Sequence, residues 1–481
     1  MKRVTMSKLL QNGQRGQALP IIALAVIGLA AFIGLATDAG ILFTHIGHLR
    51  RAVDTAALAA ANQFREDQPL SEMREAAEAL IRLNMPNVDL TEVIVQRCEA
   101  EAGDPSFCPN VAGGEDPRKL VRVEAKANVT LAFMPIVGFG TVEIKADAIS
   151  EAATVDLFLV IDTSPSMAYD APPGDPMREP ENCNKPNPPE WPYGQCQPFE
   201  KVRSAALNLV DGINFKYDRV GVITFSNLGL EQIGLSNDKT AVMDTIKSLQ
   251  VDDDPPCPSY PPDPRGCTST NTALGLRLAG TSLGEAGRQE SVWVVILLSD
   301  GAANAAINDV GWGKYLTGEA MAAEDWVCPG LPDQPTWISP FCRDPWVSTR
   351  HDFGDEDFDA EDAARYYADF VACDPTTPDS ACQTSGQGAV IFSIGLGELM
   401  VNAPDSACDP YYAGSCDKNL GEEFLRYVAR VGDDGDPDNT HPCDTASTAE
   451  TCGNYYYSSE GTDLDKIFAD IASQIFTRLT H

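Results

Sequence analysis

The sequence predicts an α/β protein: a doubly wound, mostly parallel sheet with helices on both faces, preceded by a membrane-spanning helix and a small α+β unit. Three observations predict it. Apolar runs of strand length recur at residues 155–161 (VDLFLVI), 292–298 (VWVVILL) and 389–394 (AVIFSI), as expected for strands buried on both faces. Segments of helical spacing alternate with them, which implies a parallel sheet. A separate nineteen-residue apolar run, 19–37, stands near the N-terminus.

Charge supports this division. The 481 residues carry 35 Lys and Arg against 70 Asp and Glu, a net charge of −35. Residues 1–51 hold six basic side chains and one acidic one, so the rest of the chain is at −40. With 43% hydrophobic residues the chain can bury real cores, and disorder is excluded as its main state. Such a polyanion repels phosphate backbones, which argues against nucleic acid as a partner.

At ~1.5 Å per residue the run 19–37 (LPIIALAVIGLAAFIGLAT) spans about 28 Å, close to the ~30 Å hydrocarbon core of a bilayer. Lys2, Arg3, Lys8 and Arg15 precede it without an acidic residue. The positive-inside rule then keeps residues 1–18 cytoplasmic and exports everything after Asp38, to an extracellular or periplasmic location. The alternatives are a cleaved signal peptide and a buried soluble helix. The first fits poorly, because the run exceeds a ~7–15-residue apolar core and lacks an A-x-A exit. A single-pass anchor is the expectation.

The cysteines agree with export. All fourteen follow residue 97, in close couples: Cys98 with Cys108, Cys183 with Cys196, Cys257 with Cys267, Cys328 with Cys342, Cys373 with Cys382, Cys408 with Cys416, and Cys443 with Cys452. Even number and clustering favour nearest-neighbour disulfides in an oxidising compartment. Zinc is the alternative, but no C-x-x-C occurs and the chain has only five histidines.

Residues 38–153 form the membrane-proximal region. The Ala-rich, proline-free stretch 38–64 predicts a helix leaving the bilayer, 72–83 a second helix, and 120–129 and 141–148 strands. Asn128, Val129 and Thr130 make a bare glycosylation sequon. From 154 to 481 strands and helices alternate, with a further strand at 219–225 and helices at 199–213, 240–249, 272–283, 420–431 and 464–479. Two insertions interrupt them: 171–198, with nine prolines, and 302–354.

Asp162 directly follows the first buried strand, in Asp162-Thr163-Ser164-Pro165-Ser166, and Asp300 directly follows another, in Leu298-Ser299-Asp300-Gly301. Ligands of open parallel sheets bind outside the carboxyl ends of strands. Two strands therefore deliver carboxylates to one edge, with two hydroxyls beside the first. An all-oxygen set suits a hard cation such as Mg2+. The run 267–272 (CTSTNT) at a helix start is a candidate third contributor.

These residues resemble the von Willebrand factor type A domain, through DxSxS at 162–166, TNTALGL at 270–276, LLSDG at 297–301, IFSIGLG at 391–397 and the ending from 455 onward. The resemblance covers 154–481 and implies that family's Rossmann-like fold. It implies that Ser164, Ser166 and Thr270 ligate a divalent cation directly, with Thr268 and Thr272 as close alternatives to Thr270. Asp162 and Asp300 would act largely through water. The cation implied is Mg2+, or Mn2+ or Ca2+, with one position left for an acidic side chain of a protein partner, an arrangement called a MIDAS. The N-terminal part resembles the TadG-like proteins of Tad (Flp) pilus assembly, in RGQALPIIALAVIGLAAFIGLATDAG, LRRAVDTAALAAA and TVEIKADAISEA. That resemblance implies a pilin-like membrane-proximal unit and other Tad pilus components as partners. Type IV prepilins carry Glu at the fifth position after the cleavage glycine, where this chain has Ile21 after Gly16, so prepilin processing is not implied.

Both insertions follow site strands, and they hold five of the six tryptophans: Trp191, Trp312, Trp326, Trp337 and Trp346. They are expected either to form an aromatic rim for a partner or to build small cores for the insertions. Other patterns carry less. The G-x-S-x-G at 280–284 falls at a helix end rather than on a strand-to-helix turn. The acidic stretch 433–438 has Asn439 and Thr445 where a calcium loop needs Gly and Glu, and 355–362 reads as charged surface. No general base accompanies the carboxylates, so an enzyme is not expected. The sequence thus predicts a membrane-anchored adhesion or pilus-assembly protein with a cation site. The alternative is a structural scaffold in which that site does not function.

Overall fold

The computed structural model describes residues 18–64, 69–99, 105–115, 117–190, 192–252, 270–303, 305–307, 341–343, 360–375, 382–402, 419–437 and 440–478. The chain divides into two compact units, the first ending at Ala152 and the second beginning at Ala153.

In the first unit the apolar run and the Ala-rich stretch form one helix, α1 (Ala18–Asn62). Its N-terminal part is long and apolar enough to cross a membrane. Further along, Leu49, Val53, Ala56, Ala57 and Ala60 are buried. Helix α2 (Leu70–Asn84) buries Met73, Ala77 and Ile81 at i, i+4 and i+8, the spacing of one helical face. An antiparallel sheet follows, β1 (Asp89–Arg97), β2 (Lys119–Thr130) and β3 (Thr141–Ala152), in the order β1-β2-β3. Strand β2 alternates buried and half-buried residues, so one face packs on a core and the other meets water. Asn128 of the sequon lies within β2 and donates to Asp89 Oδ2 at 3.0 Å.

The second unit is a six-stranded sheet. Its strands are β4 (Thr154–Asp162), β5 (Arg219–Phe225), β6 (Gly229–Ser236), β7 (Ser291–Ser299), β10 (Val390–Leu396) and β11 (Tyr455–Ser458), in the spatial order β11-β10-β7-β4-β5-β6. Only the β5–β6 pairing within it is antiparallel. Every residue of β4 is buried, and alternation sends its side chains to two cores. Phe158 and Val160 pack with α6 (Thr272–Ala286), α7 (Ala360–Ala372) and α8 (Leu420–Asp434). Leu157, Leu159 and Ile161 pack with α4 (Phe199–Asp211), α5 (Lys239–Ser248) and α9 (Leu464–Arg478). This is the doubly wound arrangement expected, with helices on both faces.

The strand order reverses at β4. Chain order runs outward from β4 through β5 to β6 on one side, then returns to β7 on the other. The crevice at such a reversal is where open α/β sheets place ligands.

The insertion at 171–198 contains a one-turn helix α3 (Pro180–Cys183), closed by the disulfide of Cys183 with Cys196. Arg178 ties its start to the carbonyls of Tyr169 and Ala171, at 3.2 and 3.0 Å. At the ends of the 302–354 insertion, β8 (Ala305–Ile307) pairs antiparallel with β9 (Phe341–Arg343). Three more of the expected disulfides are formed: Cys98 with Cys108, Cys373 with Cys382, and Cys443 with Cys452. The other three expected pairings fall outside the described side chains. They are Cys257 with Cys267, Cys328 with Cys342, and Cys408 with Cys416; of these six residues only Cys342 has a described backbone, in β9. The expectation of a charged surface at 355–362 is corrected where the structure describes it. Residues 360–362 open α7, and Glu361 is buried, accepting from Arg365 Nε at 2.9 Å.

Candidate cation site at the sheet edge

The site starts from two strand ends. Asp162 is the last residue of β4, and Asp300 follows the last residue of β7, the neighbouring strand. Both are buried, at 0% and 3% exposure. Beyond β4 the chain turns at once. The Ser164 N–H donates to Asp162 Oδ1 at 2.8 Å, and a 3-10 turn follows at Pro165–Ala168. This turn carries the two serine hydroxyls back over the strand end.

The polar groups then form a chain. Ser164 Oγ and Ser166 Oγ lie 3.0 Å apart, and Ser166 Oγ donates to Asp300 Oδ1 at 2.8 Å. Ser299 Oγ donates to Asp162 Oδ2 at 2.7 Å. Each carboxylate is therefore oriented by a hydroxyl from the other carboxylate's segment. The structure thus brings Asp162, Ser164, Ser166 and Asp300 together.

A third segment reaches the same edge. Thr163 N–H donates to the carbonyl of Phe225, the last residue of β5, at 2.8 Å. Ser226 follows Phe225, and its carbonyl accepts the N–H of Asn271 at 2.7 Å. Asn271 caps α6 by accepting from Leu274 N–H at 3.1 Å, and its amide donates to the Asn227 carbonyl at 3.1 Å. Thr270 thus sits, 5% exposed, where the start of α6 is tied to the end of β5. Thr272 Oγ1, in the first turn, is buried with no hydrogen-bond partner among the described residues. Residues 253–269, Thr268 among them, lie outside the described residues.

Sequence reasoning did not single out Asp252 or Ser226. Asp252 accepts from Ser226 Oγ and, at 3.4 Å, from Thr163 Oγ1, and its N–H donates to the Thr163 carbonyl at 2.7 Å. It braces the DxSxS turn from behind. Its signal, an aspartate in a run of three beside prolines, looks like ordinary loop composition. Ser299 was visible in LLSDG, but its role comes only from its bond to Asp162.

Electrostatics give the site its chemical character. Burial pushes the Asp162 carboxyl up to about 6, against hydrogen bonds that favour its charged form. Asp300 is raised well above the ordinary range, first by burial and then by the charge of Asp162. Two buried like charges are each costly without a counter-charge. Among the described residues no Lys or Arg forms an ion pair with either carboxylate. Nor is there a cluster of three His, Cys, Asp or Glu side chains. Two carboxylates and the serine hydroxyls beside them, with no soft ligand in the cluster among the described residues, make an oxygen set that fits a hard divalent cation and suits zinc poorly.

The other candidates fall elsewhere. All five insertion tryptophans, Trp191, Trp312, Trp326, Trp337 and Trp346, lie outside the described residues. Ser282 of the G-x-S-x-G is inside α6 and donates to the Glu231 carboxylate. Asp433 and Asp434 end α8, capped by Gly435 in the left-handed region at φ 79°.

Residues 157–302 match the family model described as von Willebrand factor type A domain. The mostly parallel sheet flanked by helices fits the fold of that domain, and the apolar N-terminal helix and the extra sheet lie outside the matched residues. No curated protein matches the chain. Among solved structures it is similar to the PilB minor pilin from Streptococcus sanguinis, at 14% identity and TM-score 0.37, covering 82% of this chain and 79% of that one. It is similar to the vWF domain of the type V pili tip protein Mfa5 from Porphyromonas gingivalis, at 15% identity and TM-score 0.36, covering 69% and 97%. The pilus adhesin SpaC from Lactobacillus rhamnosus GG aligns at 14% identity and TM-score 0.38, covering 80% of this chain and 34% of SpaC.

Proposed function

We infer that this chain is a membrane-anchored binding protein that holds a protein partner through a divalent cation at the edge of the β4–β7 crevice. The observation that carries the reading is the chain of oxygens from Ser164 through Ser166 to Asp300, beside the buried Asp162. Ser164, Ser166 and Thr270 are the candidate direct ligands, with Asp162 and Asp300 behind them. A bound Mg2+, or Mn2+ or Ca2+, supplies the positive charge that two buried carboxylates lack. The residues of this chain orient the oxygens and exclude bulk water, and the partner contributes an acidic side chain. Nothing in this account requires bond breaking, and the chain is read as a binding protein rather than an enzyme.

The apolar start of α1 is read as a single-pass anchor with residues 1–18 cytoplasmic and the second unit outside the cell membrane. The TadG-like order of anchor, small unit and A domain supports reading the work as Tad (Flp) pilus assembly or adhesion. A second reading has one observation in its favour. The hydroxyls and carboxylates already satisfy one another, Ser166 with Asp300 and Ser299 with Asp162. On that reading the chain is a structural scaffold of the pilus machinery, organised by the anchor and the first unit, and the site is inert.

Water-proton relaxation of Mn2+ added to the full chain in detergent separates the two. Saturable binding, with relaxivity that falls when acetate is added, is the result expected of a site with an open position for a carboxylate. Saturable binding that acetate leaves unchanged removes the acidic partner. No binding in the millimolar range leaves the scaffold.

A further inference from the structure

The tip of the β2–β3 hairpin, residues 131–140 (LAFMPIVGFG), has no charged or polar side chain. Three of its large side chains face outward: Ile136 is 83% exposed, Phe139 62% and Phe133 45%. Clustering of this kind on a surface marks a contact with something apolar.

Two residues one turn apart on α1 hold the tip. Asp38 is buried, and its carboxylate accepts the N–H groups of Ala132, Phe133 and Met134 at 2.7, 3.0 and 2.7 Å. A methyl group added at Gly34 would lie 3.1 Å from Cβ and Cγ of Phe133, so helix and tip are in contact there. Gly34 belongs to the apolar run, and Asp38 is the first ionisable residue after it. The clasp therefore sets the tip at the level where the apolar run of α1 ends. Ile33 and Leu35 on the same stretch are exposed as well, so tip and helix form one continuous apolar surface.

The backbone of the tip is suited to a lipid boundary, where no water is at hand to pair an open N–H. Ile136, Gly138 and Phe139 donate to carbonyls of Phe133, Pro135 and Met134, each at 3.1 Å. Pro135 has no N–H to satisfy. At the start of the tip, Leu131 N–H donates to the Gly140 carbonyl at 3.1 Å, and the N–H groups of Ala132, Phe133 and Met134 are those taken by Asp38.

We propose that this hairpin tip is a second membrane contact, placing Phe133, Ile136 and Phe139 in the bilayer boundary from which α1 emerges, with Asp38 as its clasp. The proposal rests on the reading of α1 as an anchor. Its occupant is lipid, because the surface is continuous with the segment of α1 that matches a bilayer in length and composition. A lone helix can rotate about its axis; a tip clasped beside it fixes which face of the first unit meets the membrane.

The test uses the full chain in phosphatidylcholine–phosphatidylglycerol nanodiscs, with p-benzoylphenylalanine in place of Leu24, Ile136 or Leu83. Leu83, on α2 of the same unit, is 75% exposed. After irradiation, mass spectrometry is expected to find lipid adducts at positions 24 and 136 and none at 83. In an Asp38→Ala background the adduct at 136 is lost while that at 24 persists. Lipid at 24 but none at 136, including a cross-link from 136 to a second protein copy, overturns the proposal and leaves the anchor standing. Absence of lipid at 24 overturns the anchor and the proposal together. An undiminished adduct at 136 in Asp38→Ala refutes the clasp.

Discussion

Asp156 provides a test of what a buried ion cluster contributes to the second unit. It lies near the start of β4, fully buried, and its carboxylate is shared by two arginines. Arg219 donates through Nε at 2.9 Å and Nη2 at 2.6 Å; Arg288 donates through its backbone N–H at 2.8 Å and Nη2 at 2.8 Å. Burial alone would raise this carboxyl, but the two guanidiniums hold it below its ordinary range. Asp156→Ala leaves two positive charges around a buried gap. Removing one partner of a buried pair costs about 3–5 kcal/mol. The arginine side chains are 22% and 24% exposed, so water recovers part of this, and the lower end, about 3 kcal/mol, is expected. The sign with pH follows from the lowered value. The contribution is present above the unfolded carboxyl value of about 4 and is lost as pH falls through the lower folded value. Urea unfolding of parent and variant at pH 7 and pH 3 measures both effects. Asp156 is six residues from Asp162, about 20 Å along the strand, so the variant should keep the parent's response to cations. A loss under about 1 kcal/mol at pH 7, or an equal loss at pH 3, would refute the electrostatic reasoning.

Two further outcomes are expected. Gly275 of α6 faces Phe225 Cδ1 and Val160 Cγ1, at 2.8 and 3.0 Å from an added Cβ. Gly275→Ala should cost about 1–3 kcal/mol by overpacking and weaken cation binding, because Thr270 and the cap Asn271 directly precede α6; calorimetric titration with Mg2+ checks the second effect. Burial pushes Asp369 from 3.8 up to about 6, although Gln383 N–H and Tyr427 OH donate to it at 2.9 and 2.7 Å. Since the folded value is raised, its contribution is full below about pH 4 and lost as pH rises through 6, about 3 kcal/mol at most. Asp369→Asn should flatten stability against pH between 4 and 7, whatever it does to the midpoint at any single pH.

The buried strands were legible because a strand covered on both faces reads as an unbroken apolar run, and β4 and β7 are such runs. Strand β6, GLEQIGLS, was not legible: it is an antiparallel edge, mostly exposed or half-buried, so no pattern marks it. Strand β1 has the same difficulty, with a single buried residue. Helix α7 hid behind the acidic start Glu361-Asp362, whose burial depends on Arg365 one turn later. At the site, Asp162 and Asp300 could be read from their places at strand ends, a matter of local order. The roles of Ser299, Asp252 and Asn271 could not, since each depends on a partner at least 26 residues away in sequence. The clasp of Asp38 on a loop 94 residues on is the extreme case.

The central claim is that the oxygens of Asp162, Ser164, Ser166 and Asp300 assemble a working cation site. Thermal unfolding of the full chain in detergent across a Mg2+ and a Mn2+ titration, beside Asp162→Ala and Ser166→Ala, tests it most directly. A ligand bound only by the folded state stabilises by mass action, about 2.7 kcal/mol at a hundredfold excess over Kd. The account predicts a saturable rise in Tm for the parent and flat curves for both variants. Curves for parent and variants that rise together, or that all stay flat, would contradict it.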